Sequence, residues 1–327
     1  MKIELAIKFG SNEIIVYRKG RGIIARSSTY VATLKSNGKI CAYGDEAKHL
    51  YDIKASKYDL CQPVRGVDIV EPKLAVALLR HVINKGLTDN GLIWALVAVP
   101  CALPERNLLE IEMLLQNSGV FKVIFVQNAV CVRANLTNMS DDAKVMVVDI
   151  GKYVTDISVS TKYEFLMGRN YLIGGIEMDC AFQTYIEDNY SVYVDNEQTQ
   201  SIKEEIASVY ENDMYTVTFE AINFQDEYQQ VTMRANEARV AIIGVYNKIF
   251  DLIEESMESL PNQVLAEVKR NGIVFTGGVA SIEGLVEYAS KRLNIPSIVV
   301  ENPKDAVILG AGKLLSLNKD EYPYIKL

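Results

Sequence analysis

Short apolar runs that end abruptly in small or polar residues recur along the chain. They occupy residues 3–7, 92–99, 145–150 and 273–275 and consist mainly of aliphatic side chains. Such runs favour strands, and the continuous run at 92–99 is typical of a central strand that is buried on both faces. The pattern therefore predicts several strands separated by longer segments.

Many of those longer segments carry an apolar residue at every third or fourth position. Residues 72–85, 105–118, 236–260, 282–293 and 305–317 have this spacing. It predicts helices that bury one face. Because strands alternate with helices over most of the chain, the fold class is predicted to be α/β.

Two similar strand–turn–strand segments open the two halves of the chain. The first turns at Gly10, between residues 3–7 and 14–17, and the second turns at Gly151, between residues 145–150 and 155–160. Backbone N–H groups and small polar side chains at such a tip can bind a phosphate. An ordinary hairpin would have the same sequence pattern, so each turn taken alone leaves both interpretations open.

A third turn follows the apolar run at 273–275, where Thr276, Gly277 and Gly278 precede a predicted helix. Glycine permits positive φ and lets a flat ligand approach the backbone, since there is no Cβ. A helix start beyond the turn would direct free N–H groups toward that ligand. Glycine turns of this kind are also common in strand-to-helix connections that bind nothing.

Composition limits the function classes. A chain of 327 residues predicts two domains or lobes. The net charge of −8 argues against a nucleic-acid partner. Five scattered cysteines without a C-x-x-C pair, together with only two histidines, argue against structural zinc and fit a reducing cytoplasm. No apolar run approaches the ~18 residues that a spanning helix needs.

The order of these segments resembles the superfamily of actins, sugar kinases and heat-shock-chaperone ATPases, and within it the MreB-like bacterial actins. The matching motifs extend over almost the whole chain in the same order. They are Y-G-D-E-A-K at 43–48, V-V-D-I-G at 147–151, I-G-G-I-E-M-D at 173–179, I-K-E-E-I at 202–206, G-I-V-F-T-G-G at 272–278 and V-I-L-G-A-G-K at 307–313.

This resemblance implies a duplicated, actin-like (ribonuclease H-like) α/β fold of two lobes with a central nucleotide cleft. The expected first lobe comprises residues 1–144 and 306–327, with a small subdomain near 30–65. The expected second lobe comprises residues 145–305, with a small subdomain near 183–235. ATP or ADP is the implied ligand.

The resemblance also implies which residues contact the nucleotide. At the two phosphate turns they are Gly10, Ser11, Asn12 and Glu13, and Gly151, Lys152 and Tyr153. Near the adenosine and along the glycine loop they are Gln200, Lys203, Gly277, Gly278, Val279 and Ala280. The implied catalytic residues are Gln127, which would orient a water, and Asp149.

Two departures from the family pattern affect the implied chemistry. The family carries an Asp that organises the hydration of Mg²⁺ two positions before the first turn glycine, and here that position is Lys8. At ~4 Å and an effective dielectric of ~20, one pair of unit charges is worth ~4 kcal/mol, so Mg²⁺ binding is expected to be disfavoured and no metal ligands are assigned. The second turn has Lys152 and Tyr153 where the family has glycines, which would hinder the approach of phosphate.

Lys8 has two interpretations. In the first, Lys8 and Lys152 bind phosphate directly in place of the metal. In the second, which we favour, the pocket is vestigial and Lys8 pairs with Asp149 or Asp156.

Three functions follow from the resemblance. The favoured one is a cytoskeletal protein that forms head-to-tail filaments and acts in cell shape or intracellular organisation, with weak or no Mg-ATP hydrolysis. The alternative is a non-polymerising pseudo-ATPase adaptor that binds another actin-like protein or a morphogenetic complex. An active chaperone-type or kinase-type ATPase is the least favoured. We expect a cytoplasmic location, with weak or indirect association at the inner face of the membrane.

Overall fold

Strands and helices alternate along the chain in the computed structural model, which describes residues 2–211, 214–317 and 322–325. The strands, in chain order, are β1 (Lys2–Phe9), β2 (Glu13–Arg18), β3 (Gly22–Ser28), β4 (Val31–Leu34), β5 (Ile40–Tyr43), β6 (Tyr58–Cys61), β7 (Val64–Arg65), β8 (Asp68–Ile69), β9 (Leu92–Val99), β10 (Val120–Gln127), β11 (Val145–Ile150), β12 (Thr155–Ser160), β13 (Phe165–Tyr171), β14 (Val192–Tyr193), β15 (Thr216–Asn223), β16 (Tyr228–Arg234), β17 (Ile273–Thr276) and β18 (Ser297–Val299). The helices are α1 (Gly44–Ile53), α2 (Pro72–Gly86), α3 (Glu105–Asn117), α4 (Asn128–Asn135), α5 (Gly175–Tyr190), α6 (Asn196–Ile206), α7 (Ala235–Glu258), α8 (Asn262–Asn271), α9 (Leu285–Leu293) and α10 (Ala306–Leu314), with a 3₁₀ helix at Gly278–Ser281.

The contacts between residues divide the chain into two units. Unit 1 comprises Met1–Ala143, Ser158–Asn170 and Asp305–Leu327, and unit 2 comprises Lys144–Ile157 and Tyr171–Lys304.

The predicted lobe boundaries and the small subdomains near 30–65 and 183–235 stay predictions. Part of what they include, residues 1, 212–213, 318–321 and 326–327, lies outside the described residues.

Unit 1 contains a five-stranded sheet in the order β10-β9-β1-β2-β3. The strands β1, β9 and β10 are parallel, whereas β2 and β3 continue the sheet antiparallel to β1. Alternate residues of β1, including Ile3, Leu5 and Ile7, enter the core beneath α2 and α3. The carboxyl ends of the three parallel strands therefore share one edge of the sheet, at Lys8, Val99 and Gln127.

Helix α10 covers the other face of this sheet. Helix α10 packs on α4 and on β1. A Cβ on Gly310 would lie 1.7 Å from the carbonyl oxygen of Cys131, so the two helices meet backbone to backbone and only glycine fits at this position. Two smaller sheets, β5-β4-β6 beside α1 and the pair β7-β8, also belong to unit 1.

In unit 2 the strands β11, β17 and β18 run parallel, with Met146 opposite Ile273 and Val274 opposite Ile298. The strand β12 lies beside β11, and β13 follows it in the sheet. The chain passes from unit 2 into unit 1 after Ile157 and returns at Tyr171. A separate sheet, β14-β15-β16, packs against α6, and α5 packs on α6 and α7.

The predicted α/β class is confirmed, and most elements lie where the pattern predicted them. The apolar runs at 92–99 and 145–150 are β9 and β11. The predicted start of the helix at 282–293 is wrong, because residues 282–284 are not helical. Glu283 forms a bridge with Ser208, and Gly284 takes φ +80°, so α9 begins only at Leu285. The sequence pattern missed α8, whose only buried residue is Val268.

Within the described part of the chain, no helix is both long enough and apolar enough to cross a membrane.

Candidate functional site

The first predicted phosphate turn lies in unit 1 between β1 and β2. The amide of Gly10 donates to the carbonyl oxygen of Glu13 at 3.2 Å, and this bond closes the turn. The carbonyl oxygen of Ser11 accepts hydrogen bonds from the side chains of Thr29 and Gln62, and the carbonyl of Asn12 accepts one from the amide of Thr29. The tip is thus held in one conformation by its neighbours.

Charged side chains surround this turn. The carboxylate of Glu13 accepts a hydrogen bond of 2.8 Å from Arg26, and Arg26 also donates to Asp305 at 2.6 Å. Burial raises the pKa of Glu13, while the charges of Arg26 and Lys8 act to lower it. Lys8 is half-buried near the end of β1. The predicted phosphate turn therefore contains a carboxylate with two cations near it.

Gln127 is the last residue of β10 and directly precedes α4, at the edge that Lys8 shares. Its Oε1 is buried and accepts no hydrogen bond from the residues that the structure describes. A buried amide oxygen of this kind can accept a hydrogen bond from a water molecule. This geometry is compatible with the water-orienting role implied by the resemblance, which stays a prediction.

The second predicted turn and the glycine loop lie together in unit 2. Asp149, near the end of β11, is opposite Thr276 of β17 and is buried. Gly277 takes φ +90°, and a Cβ there would lie 2.4 Å from the carbonyl oxygen of Ile150 and 2.5 Å from Oδ1 of Asp149. Glycine is therefore required at 277 for two reasons, the backbone conformation and the contact with β11.

The start of α5 is fixed to this second turn through the backbone. The amides of Gly175 and Ile176 donate to the carbonyls of Gly151 and Lys152 at 2.9 and 2.8 Å. The amide of Gly174 donates to Oε2 of Glu177 at 2.6 Å. These first amides of α5 are bonded within the protein, so α5 does not present them to a phosphate in this conformation.

Lys203 and Asp179 form a buried ion pair between α6 and α5. Nζ of Lys203 donates to Oδ1 of Asp179 and, at 3.4 Å, to the carbonyl of Gly175. Both side chains are less than a tenth exposed. Burial raises the pKa of Asp179, although the charges of Lys203 and Lys152 act to lower it. The ammonium of Lys203 is thus directed at α5 and is shared between two oxygens of the protein.

A pocket of about 490 Å³ adjoins this pair within unit 2. Three of the predicted site residues line it, namely Lys203, Gly278 and Val279. Gly278 is exposed, and a Cβ there would meet no atom within 4 Å, so the loop is open at this position. The other predicted residues of unit 2 do not line the pocket. They are Asp149, Gly151, Lys152, Tyr153, Gln200, Gly277 and Ala280.

Gln200 lies one turn before Glu204 on α6, and its Nε2 donates to Oε1 of Glu204 at 2.8 Å. Gln200 therefore orients a pocket residue instead of lining the pocket. At the second turn, the ammonium of Lys152 lies 5.9 Å from the centre of the Tyr153 ring.

Several lining residues were missed by the sequence reasoning. They mix apolar, hydroxyl and charged side chains, with three glutamates and one lysine among them. They are Glu204, Glu205, Ile206, Ala207, Ser208, Tyr215, Ser281, Ile282, Glu283 and Lys304.

Lys304 reaches the pocket because its loop is attached to the glycine turn. The side chain of Thr276 and the amide of Gly277 both donate to the carbonyl of Pro303 at 3.0 Å. Nζ of Lys304 then lies 3.3 Å from the Glu204 carboxylate. Burial acts to raise the pKa of Glu204, but the hydrogen bond from Gln200 and the charge of Lys304 outweigh it and lower the pKa. The motif at 202–206 could have indicated Glu204, whereas no sequence signal marks Lys304.

The described residues do not fit a protein-held Mg²⁺. No group of three or more His, Cys, Asp or Glu side chains among them is arranged to hold a metal ion. Mg²⁺ takes oxygen ligands, and Lys8 offers only an ammonium where the family pattern has a carboxylate.

Comparisons with known proteins agree with the resemblance. The family model described as MreB/Mbl protein matches residues 2–322. The cell shape-determining protein Mbl of Bacillus subtilis is 26% identical over 99% of this chain and 98% of its own length. The crystal structure of MreB5 of Spiroplasma citri bound to AMPPNP superposes with a TM-score of 0.88 at 20% identity, covering 95% of both chains. The structure of the MamK double helical filament gives 0.83 at 21% identity, covering 97% of this chain and 100% of that one.

Both structural matches have the fold that the sequence motifs predicted, so the actin-like α/β fold is confirmed. The family model matches nearly the full chain. The chain therefore belongs to the MreB/Mbl protein family.

Proposed function

We propose that this protein is a cytoskeletal subunit that assembles head to tail into actin-like filaments and acts in cell shape or intracellular organisation. The observation that carries the proposal is the family match over residues 2–322. The fold similarity to MamK in its double helical filament supports it. A contact between two different surfaces of identical subunits repeats without closing, and such contacts build filaments.

The same proposal includes a bound adenine nucleotide, ATP or ADP, with its nucleoside in the pocket of unit 2. The pocket has the size of ordinary small-molecule sites, and its mixed lining of polar and apolar side chains offers contacts both to a heterocycle and to ribose hydroxyls. The fold similarity to MreB5 solved with AMPPNP supports this assignment. Lys203, Glu204, Val279 and Lys304 would contact the nucleoside.

Hydrolysis in this proposal is weak and does not depend on protein-held Mg²⁺. Gln127 would orient the attacking water, and Asp149 remains at the end of β11. Lys8, however, carries the wrong charge for a metal site. Lys152 and Tyr153 also bring bulky side chains to the second turn, whose carbonyls are bonded to α5.

A non-polymerising adaptor that binds another actin-like protein is the second candidate. The charge of Lys8 and the residues at the second turn favour it, because they weaken the chemistry that would switch a filament. For either candidate we propose a cytoplasmic location with weak or indirect membrane association, which flotation with liposomes would measure.

Electron microscopy of the purified protein, with and without ATP, separates the two candidates. The filament proposal predicts protofilaments in at least one nucleotide state. Dispersed particles under every nucleotide and crowding condition would favour the adaptor.

A further inference from the structure

Helix α2 of unit 1 has a cationic row of residues on its outer side. Its buried residues recur at spacings of three and one, and they are Ala75, Leu78, Leu79, Val82 and Ile83. A second row has the same spacing two positions further along, and it consists of Ala77, Arg80, His81, Asn84 and Lys85. Residues with this spacing share one face of a helix. The helix contains no Asp or Glu, so the charges of the second row are all positive.

A pocket of about 510 Å³ adjoins this second row within unit 1. All five residues of the row line it, and Tyr43, which directly precedes α1, lines it as well. Among the described residues that line the pocket there is no carboxylate, and none of them belongs to the predicted nucleotide site. We call these six residues the cationic pocket.

A ring contact fixes the imidazole of His81 in this pocket. The imidazole stacks on the ring of Tyr43, with ring centroids 4.3 Å apart and an angle of 18° between the ring planes. Tyr43 is itself partly buried and packs against the core of unit 1. The position of the imidazole is therefore set by a residue that the core holds in place. A side chain that is held in this way can bind a ligand with little loss of conformational entropy.

The guanidinium of Arg80 is also positioned by a neighbouring element. It donates a hydrogen bond of 2.5 Å to the carbonyl oxygen of Asn117, the last residue of α3. This bond uses one of the five N–H donors of a guanidinium. Arg80 thus has a fixed direction and keeps the capacity to pair with an anion.

The positive groups of the cationic pocket are close enough to repel one another. Burial lowers the pKa of His81, and the charge of Lys85 lowers it as well, while the charge of Glu46 on α1 acts to raise it. The ammonium of Lys85 therefore disfavours a second positive charge on the imidazole. A bound anion would offset this repulsion and would favour the charged form of His81.

We propose that the cationic pocket binds a small soluble phosphate monoester. Such a group carries about two negative charges at neutral pH and has three oxygens that accept hydrogen bonds. Arg80, His81 and Lys85 would supply donors and compensating charge, and charge-assisted hydrogen bonds of this kind are stronger than neutral ones. The amide of Asn84 adds a neutral donor. The site is independent of the proposed function, because the pocket proposed for the nucleoside belongs to unit 2.

NMR of the histidine rings tests the site in the full-length protein. The chain has two histidines, His49 and His81, so the spectrum is simple and the variant His49→Gln assigns it. His49 is exposed on α1 and does not line the pocket, which makes it an internal control. The isotope-labelled protein is titrated with glycerol 3-phosphate, with the ionic strength kept constant by sodium chloride. The ring resonances give the dissociation constant and the pKa of each histidine.

Lys85→Gln removes one charge from the pocket, and Lys54→Gln is the matched control. Both lysines are exposed, and Lys54 does not line the pocket. Circular dichroism checks that both variants are folded. Vesicles that contain phosphatidic acid present the same monoester on a lipid, and their binding is measured by co-sedimentation.

We expect glycerol 3-phosphate to raise the pKa of His81 by about one pH unit and to leave that of His49 unchanged. Lys85→Gln should weaken binding about tenfold, whereas Lys54→Gln should change it less than about twofold. The affinity should fall as pH rises through the pKa of His81 in the complex, because the imidazolium then loses its charge.

Three results would overturn the proposal. The first is a His81 resonance that does not respond to millimolar glycerol 3-phosphate. The second is an equal response of both histidines, or equal losses in both lysine variants, which would show general attraction of anions to the surface. The third is binding to the vesicles without binding to glycerol 3-phosphate, which would exclude a soluble ligand. Each of these results leaves the proposed filament function untouched.

Discussion

Replacement of Lys203 by Met tests how the buried ion pair supports the pocket. Lys203→Met removes the cation that lies against Asp179 and keeps most of the side-chain volume. Both groups of the pair are less than a tenth exposed, and breaking such a pair typically costs about 3–5 kcal/mol, because the remaining charge stays buried. We expect a loss of unfolding free energy in the lower part of this range, since Asp179 already has a raised pKa and can take up a proton.

The pH dependence of this loss has a definite sign. Without Lys203 the pKa of Asp179 in the folded protein rises further above its value in the unfolded chain. The folded state then holds a proton that the unfolded state has released, so stability falls as pH rises through the folded pKa. The loss should be largest at neutral pH and should disappear below the ordinary pKa of an Asp, about 4.

Urea unfolding at several pH values measures the effect. Lys203→Met is compared with the double variant Lys203→Met/Asp179→Leu, which also removes the stranded carboxylate and should recover much of the stability. A carbon-detected NMR titration of Asp179 gives its pKa directly in the wild type and in Lys203→Met. A loss below about 1 kcal/mol that does not change with pH would refute the reasoning, because it would mean that the carboxylate is hydrated in the fold.

Three further predictions concern the helix contact, the metal and the pocket. Gly310→Ala should lower the free energy of unfolding by several kcal/mol or prevent folding, since the new Cβ would overlap the Cys131 carbonyl. The control Gly244→Ala in α7, where a Cβ meets nothing within 4 Å, should raise the free energy of unfolding by up to about 1 kcal/mol. Thermal unfolding measures both changes. Lys8→Asp should make the affinity for ATP, measured by calorimetry, depend on Mg²⁺. An unchanged response to Mg²⁺ would contradict the interpretation that Lys8 disfavours the metal. Lys304→Ala should weaken ATP binding several-fold, because the ion pair with Glu204 is lost. The control Lys313→Ala, which lies outside the pocket, should leave the affinity for ATP unchanged. Equal losses of affinity in both variants would exclude a specific role of Lys304 in the pocket.

The strands and helices were predictable because their patterns are local. The runs that became β9 and β11 are only eight and six residues long and are rich in valine and isoleucine, which favours a strand over a helix. The start of α9 was not predictable in the same way. The bridge between Ser208 and Glu283 displaces it toward the C-terminus. The local sequence pattern of one segment carries no information about a pairing partner that lies far away in sequence.

The candidate site likewise contains residues that could be predicted from the sequence and residues that could not. Gly277 could be recognised from the sequence because only glycine takes its φ and fits against β11. Lys304 could not, because its position depends on hydrogen bonds from Thr276 and Gly277 to the carbonyl of Pro303. Lys203 was expected to approach the adenosine, and although it lines the pocket, its ammonium is bonded to Asp179. A motif identifies a residue type at a position, whereas its hydrogen-bond partner depends on the packing of other elements.

The proposed binding of nucleotide by this member of the MreB/Mbl family does not depend on Mg²⁺. Isothermal titration calorimetry of the wild-type protein with ATP, once in excess Mg²⁺ and once in a chelator, measures it most directly. We expect binding in both buffers with dissociation constants that agree within about threefold, a free-energy difference of ~0.7 kcal/mol or less. Binding that is tight with Mg²⁺ and absent in the chelator would contradict it.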